Sequence, residues 1–389
     1  MTDAYILLII ALILLTTKAF SITMKTIHMP QVIGALMAGV LLGPAVFRLV
    51  EPNETIGIIA EFGVILLLFN AGLETDFKQL RSTLKSSLLI SALGVILALG
   101  GGFAVALLFG KPTFESFFIG VVIASMSTSI MVEALSEMGK LKTKTGTALL
   151  GASVFDDILV IIILAITMGM GSSGFSVVSL GIIMLKITAF FIFAFIAGLI
   201  INKIFNWAYG RKGEKRRFTV FALAYCFLMA YLAEVFGLAD ITGAYIAGIA
   251  FYNTRCVEYL EAKIHWLSYM FFTPVFLANI GIHTSFDGMT VNMVLFTLLL
   301  VLAAIISKVV GCGLGAKICN YTNRESLQVG AGMIARGEVS FIVAAKGIAA
   351  GYISSQLYPS IIVVVLITVL ITPLLLKAAY PKNARIRAK

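Results

Sequence analysis

Residues 34–39 read "GALMAG", and residues 243–248 read "GAYIAG". A second pair of similar segments has the same separation of 209 residues, with "NAGLETDF" at 70–77 and "NIGIHTSF" at 279–286. Two matches at one offset, with no insertion between them, indicate an internal repeat. We therefore expect the fold to contain two copies of one structural unit.

The composition indicates the structural class of the protein. The 389 residues are 60% hydrophobic and 12% charged, with a mean hydropathy of +1.04, whereas a soluble domain carries about 25% charged residues. Apolar stretches of about 20 residues, enough to cross about 30 Å of hydrocarbon as helices, recur along the chain. The alternating segments of about ten residues that form a membrane β-barrel are absent. We predict an all-α polytopic membrane protein.

Turn residues and charge clusters divide the chain into thirteen predicted spans: 3–20, 30–47, 54–75, 84–109, 116–136, 146–170, 178–202, 218–237, 240–254, 264–282, 290–316, 326–351 and 358–377. Of the 29 lysines and arginines, 23 fall in odd-numbered loops or the C-terminal tail, and only Arg48 and Lys111 fall in even-numbered loops. The positive-inside rule then predicts an external N-terminus and a cytoplasmic C-terminus. Because these basic residues flank helices on one membrane side, they should face anionic lipid rather than nucleic acid.

The repeat pairs the second predicted helix with the ninth. The two are seven helices apart, an odd number, so the two halves must cross the membrane in opposite directions. Inverted repeats of this kind are common in secondary transporters, which often bind substrate where equivalent helices are broken. The seventh helix, 178–202, is then the linker between the halves.

Two equivalent segments have features of broken helices. "ASMSTSI" at 124–130 is rich in hydroxyls, and the offset of 209 carries residues 125–129 onto "IARGE" at 334–338. Arg336 and Glu338 are two residues apart, so they cannot face each other on a regular helix. We predict a broken-helix charge pair at Arg336 and Glu338, with both segments unwound and crossing near the bilayer midplane. The alternative is two ordinary helices whose hydroxyls bond to preceding carbonyls.

Adjacent aspartates interrupt the apolar run "GASVFDDILVIII" at 151–163. A charge at mid-membrane costs about 2.5–3.5 kcal/mol on insertion scales, so buried charges are usually functional or paired. Asp157 follows Ser153 by one helical turn and shares its face, whereas Asp156 points about 100° away. Two adjacent carboxylates without partners are too costly to ionise together, so the site should take up a proton or a small cation.

Oxygen ligands suit an alkali cation. We therefore predict an ion-binding and proton-binding site formed by Asp156, Asp157, Thr128, Ser153 and Ser127, with Na⁺ held at Asp157, Asp156 and Thr128. Competition between a proton and a cation for one carboxylate is the chemistry of exchange. No cofactor and no enzymatic activity are expected.

Lys308, in "AAIISKVVGCG", is the natural counter-ion of Asp156. Two roles are open for it. Lys308 either forms a static salt bridge, which makes exchange electroneutral, or releases a proton when the cation arrives, which makes exchange electrogenic. For the other charges inside predicted spans (Glu61, Glu133, Glu234, Lys186 and Lys346), we expect structural ion pairs or snorkelling side chains.

These motifs together resemble one family. The "FDD" at 155–157, the "STS" at 127–129, Lys308, the "ARGE" at 335–338, and the segments "MPQVIGALMAGVLLGP" and "FGVILLLFNAGLETD" resemble the NapA and Kef branch of monovalent cation:proton antiporters. The resemblance implies the inverted-repeat fold of NhaA and NapA, and a homodimer that works by an elevator motion. It also implies that Asp157 is the main carrier, that Asp156 pairs with Lys308, and that Thr128 lines the site.

The resemblance further implies a domain division. A dimerisation domain would comprise 1–83 and 218–282, a core transport domain 84–170 and 290–377, with the linker at 178–202 and a cytoplasmic tail at 378–389. No Gly-rich phosphate loop follows a strand, so we do not expect the nucleotide-binding domain of Kef channels. The expected location is a bacterial-type plasma membrane, with a role in pH homeostasis.

Two rival interpretations stay open. An ion-coupled symporter of an organic acid would need a larger cavity and an anion-binding group, for which Arg336 is available. An intramembrane aspartyl protease would need its aspartates on separate helices, whereas these are adjacent. We therefore predict exchange of Na⁺, with K⁺ and Li⁺ as alternatives, for protons.

Overall fold

A computed structural model of the chain describes residues 3–27, 29–171, 177–209, 215–252, 254–284 and 290–380. The tail predicted over 378–389 lies outside these residues from 381 onward. The described residues are helical throughout, with short turns and no strands. The helices are α1 Asp3–Thr26, α2 Gln31–Leu42, α3 Glu54–Glu74, α4 Phe77–Leu108, α5 Thr113–Ala124, α6 Thr128–Glu137, α7 Lys144–Gly171, α8 Val177–Tyr209, α9 Lys215–Val235, α10 Asp240–Ala250, α11 Val257–Leu267, α12 Thr273–Ile282, α13 Val291–Ile318, α14 Asn323–Gly332, α15 Glu338–Ala349 and α16 Tyr358–Ala379.

Two short elements complete the chain path. A π-helical turn, Ser268–Phe272, joins α11 to α12, and a 3-10 turn, Ser355–Leu357, precedes α16. Within the described part of the chain, nine stretches are long and apolar enough to cross a bilayer. The protein is thus an all-helical membrane protein. Four predicted spans are missing from this set. Two of them correspond to α2 and α10, which have only 12 and 11 residues. The other two, 264–282 and 326–351, are interrupted.

Several helix ends differ from the prediction. The helix predicted over 30–47 ends at Leu42, because Gly43 and Pro44 follow it and the chain turns there. The basic residues taken as a loop after the third span lie instead on the first turns of α4, which begins at Phe77. In the same way α8 continues to Tyr209. Long basic side chains at helix ends can reach the headgroup region, so a charge cluster does not by itself end a membrane helix.

The repeat is visible in the helix bounds and in the packing. Offset by 209 residues, α5 (Thr113–Ala124) falls within one residue of α14 (Asn323–Gly332) at each end. The equivalent helices α4 and α13 pack against each other. A Cβ on Gly315 would lie 2.7 Å from the Cα of Ile90, and one on Gly101 would lie 3.7 Å from the Cβ of Ala303. Since residue numbers fall on α13 as they rise on α4, the two equivalent helices run antiparallel, and the repeat is inverted.

Close glycine contacts join the two halves elsewhere. A Cβ on Gly281 of α12 would lie 2.5 Å from the amide nitrogen of Val40 on α2, and one on Gly72 of α3 would lie 3.0 Å from that of Ile249 on α10. Gly281 and Gly72 are 209 residues apart, and so are Ile249 and Val40. Equivalent residues of the repeat therefore make the same contact in both places. At such distances a side chain would clash with the facing backbone, so glycine allows each short helix to pack on the other half of the repeat.

The helices pack in two groups. One group contains α1–α3 and α9–α12, and the other contains α4–α7 and α13–α16. The helices α6 and α16 also touch α2, and α6 touches α3, so they lie at the boundary between the groups. Any binding site formed by α6 is therefore close to both groups.

Candidate ion-binding site

Two broken helices cross beside this boundary. The first is interrupted between Ala124 and Thr128, and the second between Gly332 and Glu338. The amide of Ser127 donates a hydrogen bond to the carbonyl of Ala335 at 2.8 Å. The hydroxyls of Ser125 and Ser340, also from opposite segments, are 2.7 Å apart. The two interruptions are therefore in direct contact.

The first interruption is narrower than the predicted 125–129. Thr128 and Ser129 already belong to α6, and Glu338 is the first residue of α15. The hydroxyls of Ser127 and Ser129 are 3.0 Å apart. Thr128 thus lies on the first turn of a helix, where the backbone N–H groups and the helix dipole favour negative charge.

Arg336 is completely buried in the second interruption. Its guanidinium donates to the carbonyls of Met333, at 3.3 Å, and Ile334, and to that of Ala304 on α13 at 3.0 Å. Met333 and Ile334 directly follow α14, so Arg336 satisfies carbonyls at the negative end of that helix. The side chain of Glu338 lies outside the described part of the structure, and with it the predicted pair. The described hydrogen-bond acceptors of the Arg336 guanidinium are backbone carbonyls.

Asp156 and Lys308 form a buried salt bridge between α7 and α13. Lys308 Nζ donates to Asp156 Oδ1 at 2.5 Å, and neither side chain is exposed. The second carboxylate oxygen, Oδ2, has no hydrogen-bond partner. Arg336 contributes a second positive charge within electrostatic range of Asp156. This carboxylate therefore faces two cations of the protein itself.

Asp157 lines a different space. Together with Thr128 and Ser153 it borders a cavity of about 10 Å³, close to the smallest volume that holds one water molecule. Ser153 Oγ donates to the carbonyl of Leu150 at 2.9 Å, which leaves its lone pairs able to accept or coordinate. Thr128 Oγ1 is buried without a hydrogen-bond partner. Asp156 and Ser127, although predicted as ligands, do not line this cavity.

The opposite wall comes from the other helix group, and sequence reasoning missed it. It contains Thr242 and Tyr245 on α10, with Leu68 and Ile241 beside them. Thr242 is buried, and Tyr245 Oη lies 3.3 Å from the Thr75 hydroxyl. A signal was present in the repeat, because the equivalent positions on α2 are Ile33 and Leu36, so hydroxyls occur only in the second copy.

The sequence matches a known family along most of its length. Residues 8–379 match the family described as sodium/hydrogen exchanger, transmembrane. The chain belongs to the sodium/hydrogen exchanger family. It is 38% identical over 372 residues to the Na⁺/H⁺-K⁺ antiporter GerN of Bacillus cereus, with 95% of each chain covered. It is 35% identical to a Na⁺/H⁺ antiporter of Enterococcus hirae, with 95% of this chain and 96% of the relative covered.

A solved structure has the same fold. The sodium proton antiporter MjNhaP1 of Methanocaldococcus jannaschii aligns with 96% of each chain at a TM-score of 0.73 and 17% identity.

In the present chain, the polar side chains around the Asp157 cavity are one carboxylate and several hydroxyls. The described residues contain no group of three or more His, Cys, Asp or Glu that could hold a metal ion. Carboxylate and hydroxyl oxygens are ligands for hard cations, and the carboxylate can also bind a proton.

Proposed function

We propose that this exchanger carries Na⁺ in one direction and protons in the other, and that Asp157 binds both. The observation that carries the proposal is the buried cavity where the Asp157 carboxylate meets the unpartnered Thr128 hydroxyl and Ser153. The similar proteins of B. cereus and E. hirae are named as Na⁺/H⁺ antiporters. K⁺ is a further candidate cargo, because the same oxygens coordinate both ions.

Coupling follows from competition. A proton on Asp157 neutralises the carboxylate, and a Na⁺ beside it does the same, so the two ions exclude each other in a cavity of about 10 Å³. When Na⁺ binds, the proton leaves the carboxylate oxygen for water. A cavity of this size also argues against an organic acid as cargo.

Asp156 and Lys308 act as a balancing pair in this proposal. Lys308 is bonded to Asp156 and holds its negative charge in place, while Asp157 on the neighbouring helix face changes its charge state. Arg336 stabilises the second broken helix. Asp156 and Ser127 then support the site without holding the cation directly.

An elevator motion accounts for access from both sides. The wall formed by α6 and α7 belongs to one helix group, and the wall formed by α3 and α10 belongs to the other. Sliding one group along the other would open the Asp157 cavity first to one side and then to the other. Two larger cavities, of about 640 and 480 Å³, lie between the groups, and the former shares Ile241 with the Asp157 cavity.

The finer architectural predictions are part of the same proposal. They comprise thirteen membrane crossings, membership of the NapA and Kef branch, an external N-terminus and a cytoplasmic C-terminus in a bacterial plasma membrane. The group containing α1–α3 and α9–α12 would form the homodimer interface, and the other group would be the mobile core.

The test is a proton-flux assay in proteoliposomes that contain the purified protein and a pH-sensitive dye. Na⁺, K⁺, Li⁺ and an organic acid are added in turn to vesicles with an imposed pH gradient. We expect Na⁺ to collapse the gradient in the wild type and not in Asp157→Asn. The matched control is Asp76→Asn. Asp76 lies on an exposed turn and accepts a hydrogen bond from the amide of Lys78, which the asparagine oxygen can also accept. Proton flux driven only by the organic acid would favour the symporter instead.

A further inference from the structure

A second carboxylate, Glu133, is as buried as those of the proposed ion site. Among the other acids within membrane helices, Glu61 and Glu234 are exposed, whereas Glu133 is 4% exposed. It lies on α6, five residues after Thr128, about 7.5 Å further along the helix axis. The sequence predicted only a structural role for it, and no described ion pair involves it.

Glu133 borders a cavity of about 480 Å³ between the two helix groups. The walls come from α1, α2, α6, the π-helical turn and α12. Glu133 Oε2 and the hydroxyl of Tyr269, on the π-helical turn, are both buried, and neither forms a hydrogen bond of standard geometry. The two groups face each other closely enough for a long, weak hydrogen bond, and Ser136 lies beside the tyrosine. Buried polar atoms without partners are rare, and π-helical turns are frequent at functional sites.

The other charged groups around the cavity have different positions or partners. Glu137 lines the same space, but its two oxygens accept from the amide of Gln31, at 2.6 and 2.9 Å, and one also from that of Val32. It therefore caps the start of α2 from the other helix group. Lys18 of α1 contributes a positive charge. Behind Tyr269, His265 stacks on the tyrosine ring, and the electrostatic influence of Glu74 also reaches Tyr269.

We propose that Glu133 is a proton-exchange group that binds and releases protons through this cavity, and that its charge state controls exchange at the Asp157 site, which is formed by the same helix and its neighbour α7. The proposal rests on the proposed function. A hydronium ion in the cavity would give its proton to Glu133 Oε2 and remain as water, and the reverse step would return the proton to water. A proton is favoured over a cation here because the oxygens of Glu137 are already held by the amides of α2. The Glu133 carboxylate and the Tyr269 phenol alone are too few ligands for an alkali ion.

Ser21, Gln31 and Glu137 in its lining place the cavity near the membrane face where α1 and α6 end and α2 begins, next to the basic loop that follows α6. Exchange should therefore depend on Glu133 through the pH of that face only. This dependence on one face separates a proton-exchange group from a residue that merely supports the fold.

The experiment measures exchange rates in vesicles of known orientation, with the pH of each face varied separately. Glu133→Gln preserves the side-chain volume and removes the titrating group, so we expect slower exchange and a loss of the pH dependence on the cavity face. The pH dependence on the opposite face should be unchanged. Glu133→Asp should restore part of the profile, and Tyr269→Phe should shift it. Glu258→Gln, an exposed carboxylate on α11, is the control.

The possible outcomes are distinct. A Glu133→Gln protein that keeps the wild-type pH profile on both faces overturns the proposal, as does one in which both profiles change equally. If Glu133→Gln fails to fold, Tyr269→Phe provides the same test. An active Asp157→Asn protein would instead refute the proposed function, which is measured separately in the same vesicles.

Discussion

The two broken helices occupy equivalent places in the repeat, but different side chains stabilise them. In the first, between α5 and α6, hydroxyls of Ser125 and Ser127 bond to other hydroxyls, and Thr128 Oγ1 stays without a partner. In the second, Arg336 donates to three backbone carbonyls. The residue at the position of Arg336 in the first copy is Ser127. Arg336 thus satisfies backbone carbonyls at the second break, whereas the first break keeps one buried hydroxyl oxygen, Thr128 Oγ1, without a partner.

The same division applies to the charges. Asp156 and Asp157 belong to the first copy, and the equivalent residues of the second copy are Val365 and Leu366. Lys308 belongs to the second copy, with Leu99 at its equivalent position. Each half of the repeat therefore supplies one of the two crossed helices. The two aspartates come from the first half, whereas Lys308 and Arg336 come from the second. The proposed ion site therefore lies where the two copies of the repeat differ in sequence.

Removing the charge at the second break should have the largest effect on stability. Arg336→Met leaves up to three buried carbonyls without donors, and we expect a loss of about 3 kcal/mol or more. Ser127→Ala at the equivalent position should cost less than about 1 kcal/mol, since it removes one hydroxyl pair. Thermal unfolding of both variants in detergent measures the difference. Equal losses would mean that the two breaks are not stabilised in different ways.

The salt bridge between Lys308 and Asp156 joins the two halves of the repeat, so its two charges should stabilise the fold only together. Lys308→Gln leaves Asp156 buried without its counter-ion and should cost about 3 kcal/mol. The double variant with Asp156→Asn removes both charges, so it should recover most of that loss. Unfolding of the two single variants and the double variant gives the coupling energy. A double variant as unstable as the sum of the two single variants would show that the pair is not coupled.

Much of this architecture could be predicted because hydrophobic length, the basic loops and the offset of 209 residues are properties of the chain itself. The interruptions lie within two residues of their predicted positions, because adjacent small and charged residues weaken a helix locally. The partners of Arg336 could not be predicted, since its guanidinium turns back onto the carbonyls of Met333 and Ile334 and also reaches that of Ala304 on α13. For the Asp157 cavity, the wall with Thr128 and Ser153 was predicted. The opposite wall was not, because Thr242 and Tyr245 lie on a helix distant in sequence.

The two walls of that cavity should contribute unequally to cation binding. Thr128→Val removes a buried, unpartnered oxygen on the Asp157 side, and we expect the Na⁺ concentration for half-maximal exchange to rise about tenfold, or about 1.4 kcal/mol. Thr242→Val, on the opposite wall, should raise it by less and should change the ratio of Na⁺ to K⁺ transport. Proteoliposome assays with both ions measure this. A larger loss from Thr242→Val would assign the main hydroxyl ligand to α10.

In the proposed mechanism one carboxylate, Asp157, binds the proton and the cation in turn. Its most direct test is the release of protons when Na⁺ is added to purified protein in weakly buffered solution, followed with a pH indicator. We predict that the wild type and the Asp76→Asn control release protons on Na⁺ binding and that Asp157→Asn releases none. An Asp157→Asn protein that releases as many protons as the wild type would show that another group binds the exchanged proton.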